Sequence, residues 1–583
     1  MKRLNTDVLI LGSGGAGLFA ALHAHNADPN LKITIAVKGL LGKCGCTRMV
    51  QGGYNVALAA ADSPERHFMD TIEGGGWLNN QDLAWALVTE APRRVRELEN
   101  EIGCFFDRNP DGTIHQKAFA GQTFDRTVHK GDLTGIEIIN RLAEQVWARN
   151  IGRMEEHRAI ALIKTPSGDA IAGVVMIDMR SGAFVFVQAK AVLLATGGGP
   201  TMYKYHTPSG DKSCDGMAMA LRVGLKLRDM EMVQFHPTGL LAGENTRLTG
   251  TIIEEGLRGV GGHLLDAAGD RFMPRYDKRA DRATRDIVSR AMFDQMKHGK
   301  TGPNGGVFFT MRHLDAEMVR REFKGMVERC RDAGFDLVSG LVEVTPTAHY
   351  MMGGVVFAPD GTTALSGLFA AGEDTGGVHG ANRLGGNGVA NSTVFGGLAG
   401  DTIGRWVKAE GRFHEPDQGE IDRAVELARR PLARERSARQ RSAERIGEIE
   451  AIRTELYESM WEDVGIVRDA ASLARGTAKL AELDAALDHA GLASDDLAFN
   501  LTWHDWLNLK NLVLVSRAIA AAATARQDSR GAHWRADFPN ASDLASSRYT
   551  CVRLAGDQIE VSTEPVVFNR VRPGESLIRS AAE

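Results

Sequence analysis

Three features of this 583-residue chain point to an α/β protein with an interrupted central domain and a helical region after it. A short apolar run near the N-terminus ends in a glycine-rich turn, then a helical run and a second apolar run follow. Two more apolar runs ending in glycine-rich turns recur at 191–200 and 368–377. After about Asp401 the composition turns to Ala, Glu, Arg and Leu with helical periodicity.

The first unit is the most explicit. Thr6–Leu11 (TDVLIL) reads as a buried strand, and Gly12-Ser-Gly-Gly-Ala-Gly17 follows it. LFAALHAHNA is helical, and Lys32–Val37 (KITIAV) is a second strand. This is a β-α-β unit with GxGxxG at its first turn. Gly12 allows the tight turn, Gly14 lets backbone approach a pyrophosphate, and Gly17 lets helix and strand pack closely. The helix N-terminus then offers free N–H groups to phosphates. A nicotinamide site carries Asp or Glu at the end of the second strand. Here that end reads Val37-Lys38. With AVLLATGGGP (191–200) and LFAAGEDTGG (368–377, carrying Glu373), three strand–glycine turns suggest one large cofactor held by separated segments. That pattern favours FAD in a Rossmann-type domain.

The segment 239–344 interrupts those turns and reads as an inserted α+β capping domain. The expected organisation is an FAD-binding domain over 1–238 and 345–410, the cap over 239–344, a helical domain over 411–530 and a mixed C-terminal domain over 531–583. Ile421–Leu487 and Trp503–Gln527 are expected to be helical. The basic run Arg429–Arg445 reads as a solvated helix face or a partner contact. Gln558–Val561 looks strand-like.

The bulk numbers narrow the function. Hydrophobic residues are 43% and charged residues 25%, as in soluble proteins, and the net charge of −5 gives no reason to expect nucleic-acid binding. No run of about 18 apolar residues is present. The six cysteines do not form a disulfide framework. The expectation is a cytoplasmic protein with reduced thiols. No Cys/His set has metal-ligand spacing, so no metal site is expected.

Five polar clusters stand out, all but the third in glycine-rich or proline-containing segments: QFHPT with His236, EEGLRGVGG with Glu254, Glu255 and Arg258, RATRDIVSR with Arg285, PTAHYMMGG with His349, and GANRLGGN with Arg383. With DSRGAHWRADFP near the C-terminus, their order resembles the flavoprotein subunit of succinate dehydrogenase and fumarate reductase, a superfamily that also includes L-aspartate oxidase. The resemblance runs from about Asp7 to Pro539. It implies hydride transfer between the flavin and a small dicarboxylate or substituted analogue. Arg285 would exchange the proton, with Glu255 and Arg258 as its relay. An arginine is a poor acid in water, so it needs such a relay. His236, His349 and Arg383 would hold the carboxylates, and Phe119 would pack on the substrate plane. The cofactor contacts to expect are Gly12, Gly14, Gly15, Gly17, Lys38, Cys46, Thr47, Gln51, Gly52, Gly53, Thr196, Gly197, Gly198, Asp215, Glu373 and Asn387. A separate iron–sulfur subunit is the partner that the resemblance implies.

Two departures stand out. Cys46 occupies the position where respiratory relatives carry a flavin-linked histidine, so non-covalent FAD is expected, with Cys44 and Cys46 lining its edge. Glu254 stands where the family has Thr or Ser, and Val260 where it has an acid. An ionised Glu254 would repel a carboxylate, so it is expected to meet an amino or hydroxyl group of the substrate; the alternatives are a protonated Glu254 or a side chain that points away. An L-aspartate oxidase-like activity is the alternative. Against it, the stretch Ala118-Phe-Ala-Gly-Gln-Thr123 lacks the acid that group carries.

Overall fold

The computed structural model describes residues 1–243, 246, 248–432, 444–492 and 494–578, without the side chains of 444–447. Most of the basic run Arg429–Arg445 lies outside the described residues.

Strand Lys2–Leu11 is fully buried from Val8 to Leu11. A strand covered on both faces requires such a run. It pairs in parallel with Ile33–Val37 on one side and with Ala183–Leu194 on the other. Gly152–Glu155 extends the sheet in parallel beyond Ile33–Val37. The twelve-residue strand Ala183–Leu194 divides its far edge between two neighbours. Its first half pairs antiparallel with Ile171–Asp178, itself paired with His157–Lys164, and its second half pairs in parallel with Leu368–Ala370. Leu11, Leu194 and Ala370 therefore end side by side. The three glycine turns leave the carboxyl ends of three adjacent parallel strands, which is where open α/β sheets bind ligands.

The first turn is built by close approach. Gly12 has φ +110°, and a Cβ there would overlap the Ala195 carbonyl oxygen of the second turn. A Cβ on Gly17 would overlap the carbonyl oxygen of Gly12. Helix Gly15–Ala27 is buried on every face through Ala24. Helix Asn387–Ala409 lies against it through Gly396, Gly400 and Gly404, one turn apart. A Cβ on Gly396 would stand 2.6 Å from Ala16 O, and one on Gly404 2.5 Å from the Ala27 Cβ.

The inserted segment has its own core. Leu240, Leu257, Phe272, Met292, Phe309 and Val344 belong to one buried cluster drawn entirely from 240–344. Its four-stranded antiparallel sheet runs in the order Val233–Leu240, Val342–Met351, Val307–Thr310, His263–Leu265. The expected boundaries at 238/239 and 344/345 thus fall inside two paired strands. The chain enters and leaves the insertion through continuous β-structure, so no linker marks the crossing.

The C-terminal region is helical as expected, with helices Gln418–Arg429, Glu444–Glu462, Ala470–His489 and Leu501–Ala525. Buried Trp503 donates to Ala428 O at 2.8 Å and joins two of them. The strand expected at Gln558–Val561 extends to Pro565 and forms a hairpin with Arg548–Ala555. That hairpin pairs with Leu227–Arg228 of the cofactor lobe. The DSRGAHWRADFP segment is tied to the same place through Arg468, which donates to Glu231 O at 2.9 Å and meets His533 Nδ1 at 2.7 Å. Among the described residues no helix is long and apolar enough to cross a membrane.

Gly17→Ala should push helix Gly15–Ala27 off the first turn. Overpacking of this kind costs ~1–3 kcal/mol. The expected result is a lowered unfolding midpoint and loss of yellow cofactor on gel filtration. Full cofactor retention at unchanged stability would show that the turn has more room than its geometry indicates.

Candidate active site

One cavity of ≈ 660 Å³ begins at the first glycine turn and ends between His236, His349 and Arg383. Its walls come from the segments singled out above, brought together by the strand ends and by the insertion.

At the first end, Gly12, Gly14 and Gly15 open into the cavity at the N-terminus of helix Gly15–Ala27, whose first turn carries no acid. Thr47 Oγ1 accepts from Gly15 N at 3.0 Å and fixes the 44–53 loop against that turn. Lys38 Nζ reaches Asp215 Oδ2 at 2.7 Å, and Arg158 Nη2 reaches Asp215 Oδ1 at 3.2 Å. Burial opposes the charge of Asp215, but these two cations hold its carboxyl well below the usual carboxylate range. Thr196 and Gly197 line the wall and donate backbone N–H groups to Asp374. Glu373 also lines it, with Oε1 accepting from Met351 N at 3.0 Å.

Cys44, Cys46, Gln51, Gly52 and Gly53 form the next stretch. Burial pushes the Cys46 thiol up to about 12, so it is a neutral thiol and not a thiolate. The Gln51 amide faces the Arg329 guanidinium. A Cβ on Gly52 would run into the tip of the Phe119 ring, so the aromatic can approach bare backbone here.

Three of the expected cofactor contacts are placed elsewhere. Gly17 packs against the Gly12 carbonyl and Ile10, off the cavity wall. Gly198 is not on the cavity wall, since Glu373 and Met351 pack over it at 3.0 Å from a would-be Cβ. Asn387 turns its side chain into the protein. Its Oδ1 takes Asn55 Nδ2 and His67 Nε2, each at 2.9 Å, and its Nδ2 donates to Thr71 Oγ1. A buried amide needs those partners, and only its neighbours Gly386 and Gly388 face the cavity.

At the far end, two β-bulges aim the histidines. The pairing of Val233–Leu240 with Val342–Met351 skips His349 between Tyr350 and Ala348, and slips again after His236. Bulges of this kind re-aim side chains beside sites. The two rings stand 5.3 Å apart. Thr207 Oγ1 binds His349 Nδ1 at 2.8 Å, and Thr238 N lies 3.3 Å from His236 Nδ1. The Nε2 atoms have no hydrogen-bond partner among the described residues. Burial, then Arg285, push both imidazoles well below their ordinary value.

Arg285 is the first residue of helix Arg285–Lys297. Its Nη2 meets Glu255 Oε2 at 2.6 Å and its Nη1 donates to Gln234 Oε1 at 3.0 Å. Glu255 Oε1 meets Arg258 Nη2 at 2.7 Å, and Arg258 is further held by Asp281 O and Ala283 O. Burial opposes the Glu255 charge, yet Arg285 and Arg258 hold the carboxyl down at about 2. Arg383 lies 4.5 Å above the Tyr350 ring, and burial lowers it to about 10. Glu254 lines the cavity beside these groups, but its carboxylate is paired with Lys117. The unopposed charge expected at that position is therefore compensated. Burial raises Glu254, with Lys117 acting against that rise.

Known proteins resemble this chain over nearly its whole length. Residues 7–389 match the family model of an FAD binding domain, and 453–577 match that of a fumarate reductase flavoprotein C-terminal domain. A fumarate reductase (CoM/CoB) subunit of Methanothermobacter marburgensis is 40% identical over 91% of this chain and 94% of its own. The fumarate reductase flavoprotein subunit of Mycobacterium tuberculosis is 33% identical over 98% of this chain and 99% of its own. The solved FrdA chain of Escherichia coli quinol fumarate reductase superposes with a TM-score of 0.91 at 32% identity, covering 99% of each chain. The chain belongs to the succinate dehydrogenase/fumarate reductase flavoprotein family. It is an FAD-dependent oxidoreductase of that type.

The cavity of this flavoprotein fits FAD. It is elongated, it starts at glycines whose backbone is bare, and a Cβ on Gly14 would meet only Thr47 Oγ1 at 3.5 Å, so a pyrophosphate can approach. Reading the sequence did not reveal Gln234, Thr207, Lys117 or Arg329. Gln234 stands in the same QFHPT segment as His236. Lys117 comes two residues before Phe119, on the strand that carries the loop.

The neutral histidines set a pH dependence. A dicarboxylate seated against both imidazoles would favour imidazolium, so its binding should take up protons and succinate affinity should tighten as pH falls from about 8 to about 6. Calorimetry in buffers of different ionisation heat should report proton uptake. Proton release on binding would place the carboxylates away from His236 and His349.

Proposed function

We propose that this flavoprotein binds FAD non-covalently and interconverts fumarate and succinate, or a close dicarboxylate analogue, with reduction as the favoured direction. The observation that carries this reading is the unbroken Arg285–Glu255–Arg258 chain, which ends at the cavity between His236, His349 and Arg383. Bound FAD supplies the two-electron chemistry as a hydride donor or acceptor.

The chain's own residues do the rest. Arg383 and the Nε2 atoms of His236 and His349 bind the carboxylates, and bidentate guanidinium–carboxylate pairing fixes their plane. Phe119, its ring tip held against Gly52, limits how far the substrate can tilt. Arg285 delivers a proton from its guanidinium to the carbon opposite the one that receives hydride. Glu255, ionised between two guanidiniums, passes a proton from Arg258 to restore Arg285. Gln234 holds the other edge of Arg285, so the guanidinium keeps one orientation. Burial of Glu255, Arg258, Arg285 and Arg383 keeps water from these groups, which strengthens each charge interaction.

Lys38, Thr47, Thr196, Gly197, Asp215 and Glu373 are the residues that hold the cofactor in this reading. Cys46 stands where a covalent link would form, and its neutral, half-buried thiol favours none. The electron donor is a separate subunit carrying iron–sulfur centres. The names of the relatives, each called a subunit, agree with that arrangement.

Acid precipitation of the purified protein should leave the flavin in the supernatant. Flavin that stays in the pellet, and leaves it in Cys46→Ala, would demonstrate a thioether.

Arg285→Gln should lower fumarate turnover by at least ~10²–10⁴-fold while FAD stays bound, because a positioned general acid contributes on that scale. Near-normal turnover in that variant would remove Arg285 from proton transfer.

A further inference from the structure

Glu254 is an acid on the substrate end of the cavity that the Arg285–Glu255–Arg258 chain does not use. Its Oε1 is bound by the Lys117 ammonium. Its Oε2 has no hydrogen-bond partner among the described residues. Lys117 belongs to strand Gln116–Lys117 of the small three-stranded sheet, and Glu254 to the inserted segment. The pair therefore joins the two bodies that enclose the site. Lys117 also donates to Gly131 O at 3.4 Å and stands 5.8 Å from the centre of the Phe119 ring. The other charged groups facing Glu254 are Glu255, Asp132 and Arg329. Arg329 is held by the Ile252 carbonyl at 2.8 Å and by Gln51.

A charge count shows what the pair does. Arg258, Arg285 and Arg383 against Glu255 leave 3 − 1 = 2 positive charges, which match a dicarboxylate dianion. An unpaired Glu254 would take one of them away. Lys117 returns it. We infer that Lys117 is a positioning residue for dianion binding, pairing with Glu254 so that an acid on the cavity wall does not repel the substrate carboxylate. This rests on the dicarboxylate reading above. Burial of Glu254 adds to the argument, because a carboxylate out of water needs a partner.

The test is a double-mutant cycle on the FAD-loaded full-length enzyme. Fumarate turnover is followed with a reduced dye as donor, and succinate binding by the change in flavin absorbance. Lys117→Met should raise the KM for fumarate at least about tenfold, or ~1.4 kcal/mol. Its kcat should fall by less, and the KM penalty should shrink as pH falls and Glu254 takes a proton. Lys117→Arg should restore the KM. Lys117→Met with Glu254→Thr should bring the KM back towards that of the unmodified enzyme, a non-additivity expected of residues in contact. An unchanged KM in Lys117→Met, or a double variant as impaired as the single one, would overturn the inference. If Lys117→Met does not fold, Glu254→Gln carries the test. Tighter succinate binding supports the pair, and weaker binding makes Glu254 itself a substrate contact and overturns it. Unmodified enzyme that neither binds succinate nor reduces fumarate overturns the dicarboxylate reading. Enzyme that does both with an additive cycle overturns only the role of Lys117.

Discussion

The carboxylate of Glu255, out of water between two guanidiniums, constrains everything around it. A buried charge is tolerated only when paired and hydrogen-bonded, and removing one partner of such a pair costs about 3–5 kcal/mol. Arg258 is accordingly fixed by two backbone carbonyls, and Arg285 by Gln234. The backbone that closes over them has to be bare. A Cβ on Gly385 would collide with Glu255 Oε2 and stand 2.8 Å from the Phe119 ring. Gly385 of HGANRLGGN is a consequence of the ion chain as much as of any cofactor.

Local patterns in the chain were enough to locate the cofactor lobe. The three strand–glycine turns carry their signal in a few consecutive residues, and parallel pairing of Leu11, Leu194 and Ala370 brings them together. The polar clusters were legible for the same reason, as short segments of unusual composition. Pairings across distant sequence were not. Lys117 and Glu254 are 137 residues apart, and nothing near either one names the other. Reading Glu254 alone leaves a bare negative charge, whereas the fold supplies its counter-ion.

Asn387 shows the opposite failure. It belongs to a segment that does face the cavity, but a helix turns successive side chains by about 100°, so its amide points into the protein while Gly386 and Gly388 remain on the wall. The expected insertion boundaries lie inside paired strands. Composition marks where an inserted core begins, at Leu240, but strands that cross the border have the same apolar character on both sides.

Those crossing strands have a mechanical meaning. Val233–Leu240 and Val342–Met351 are the two connections between the insertion and the rest of the molecule, and each carries one histidine of the site at a bulge. The seam of the fold and the far wall of the cavity are therefore the same backbone: neither histidine can be shifted without disturbing the two strands that hold the insertion in place.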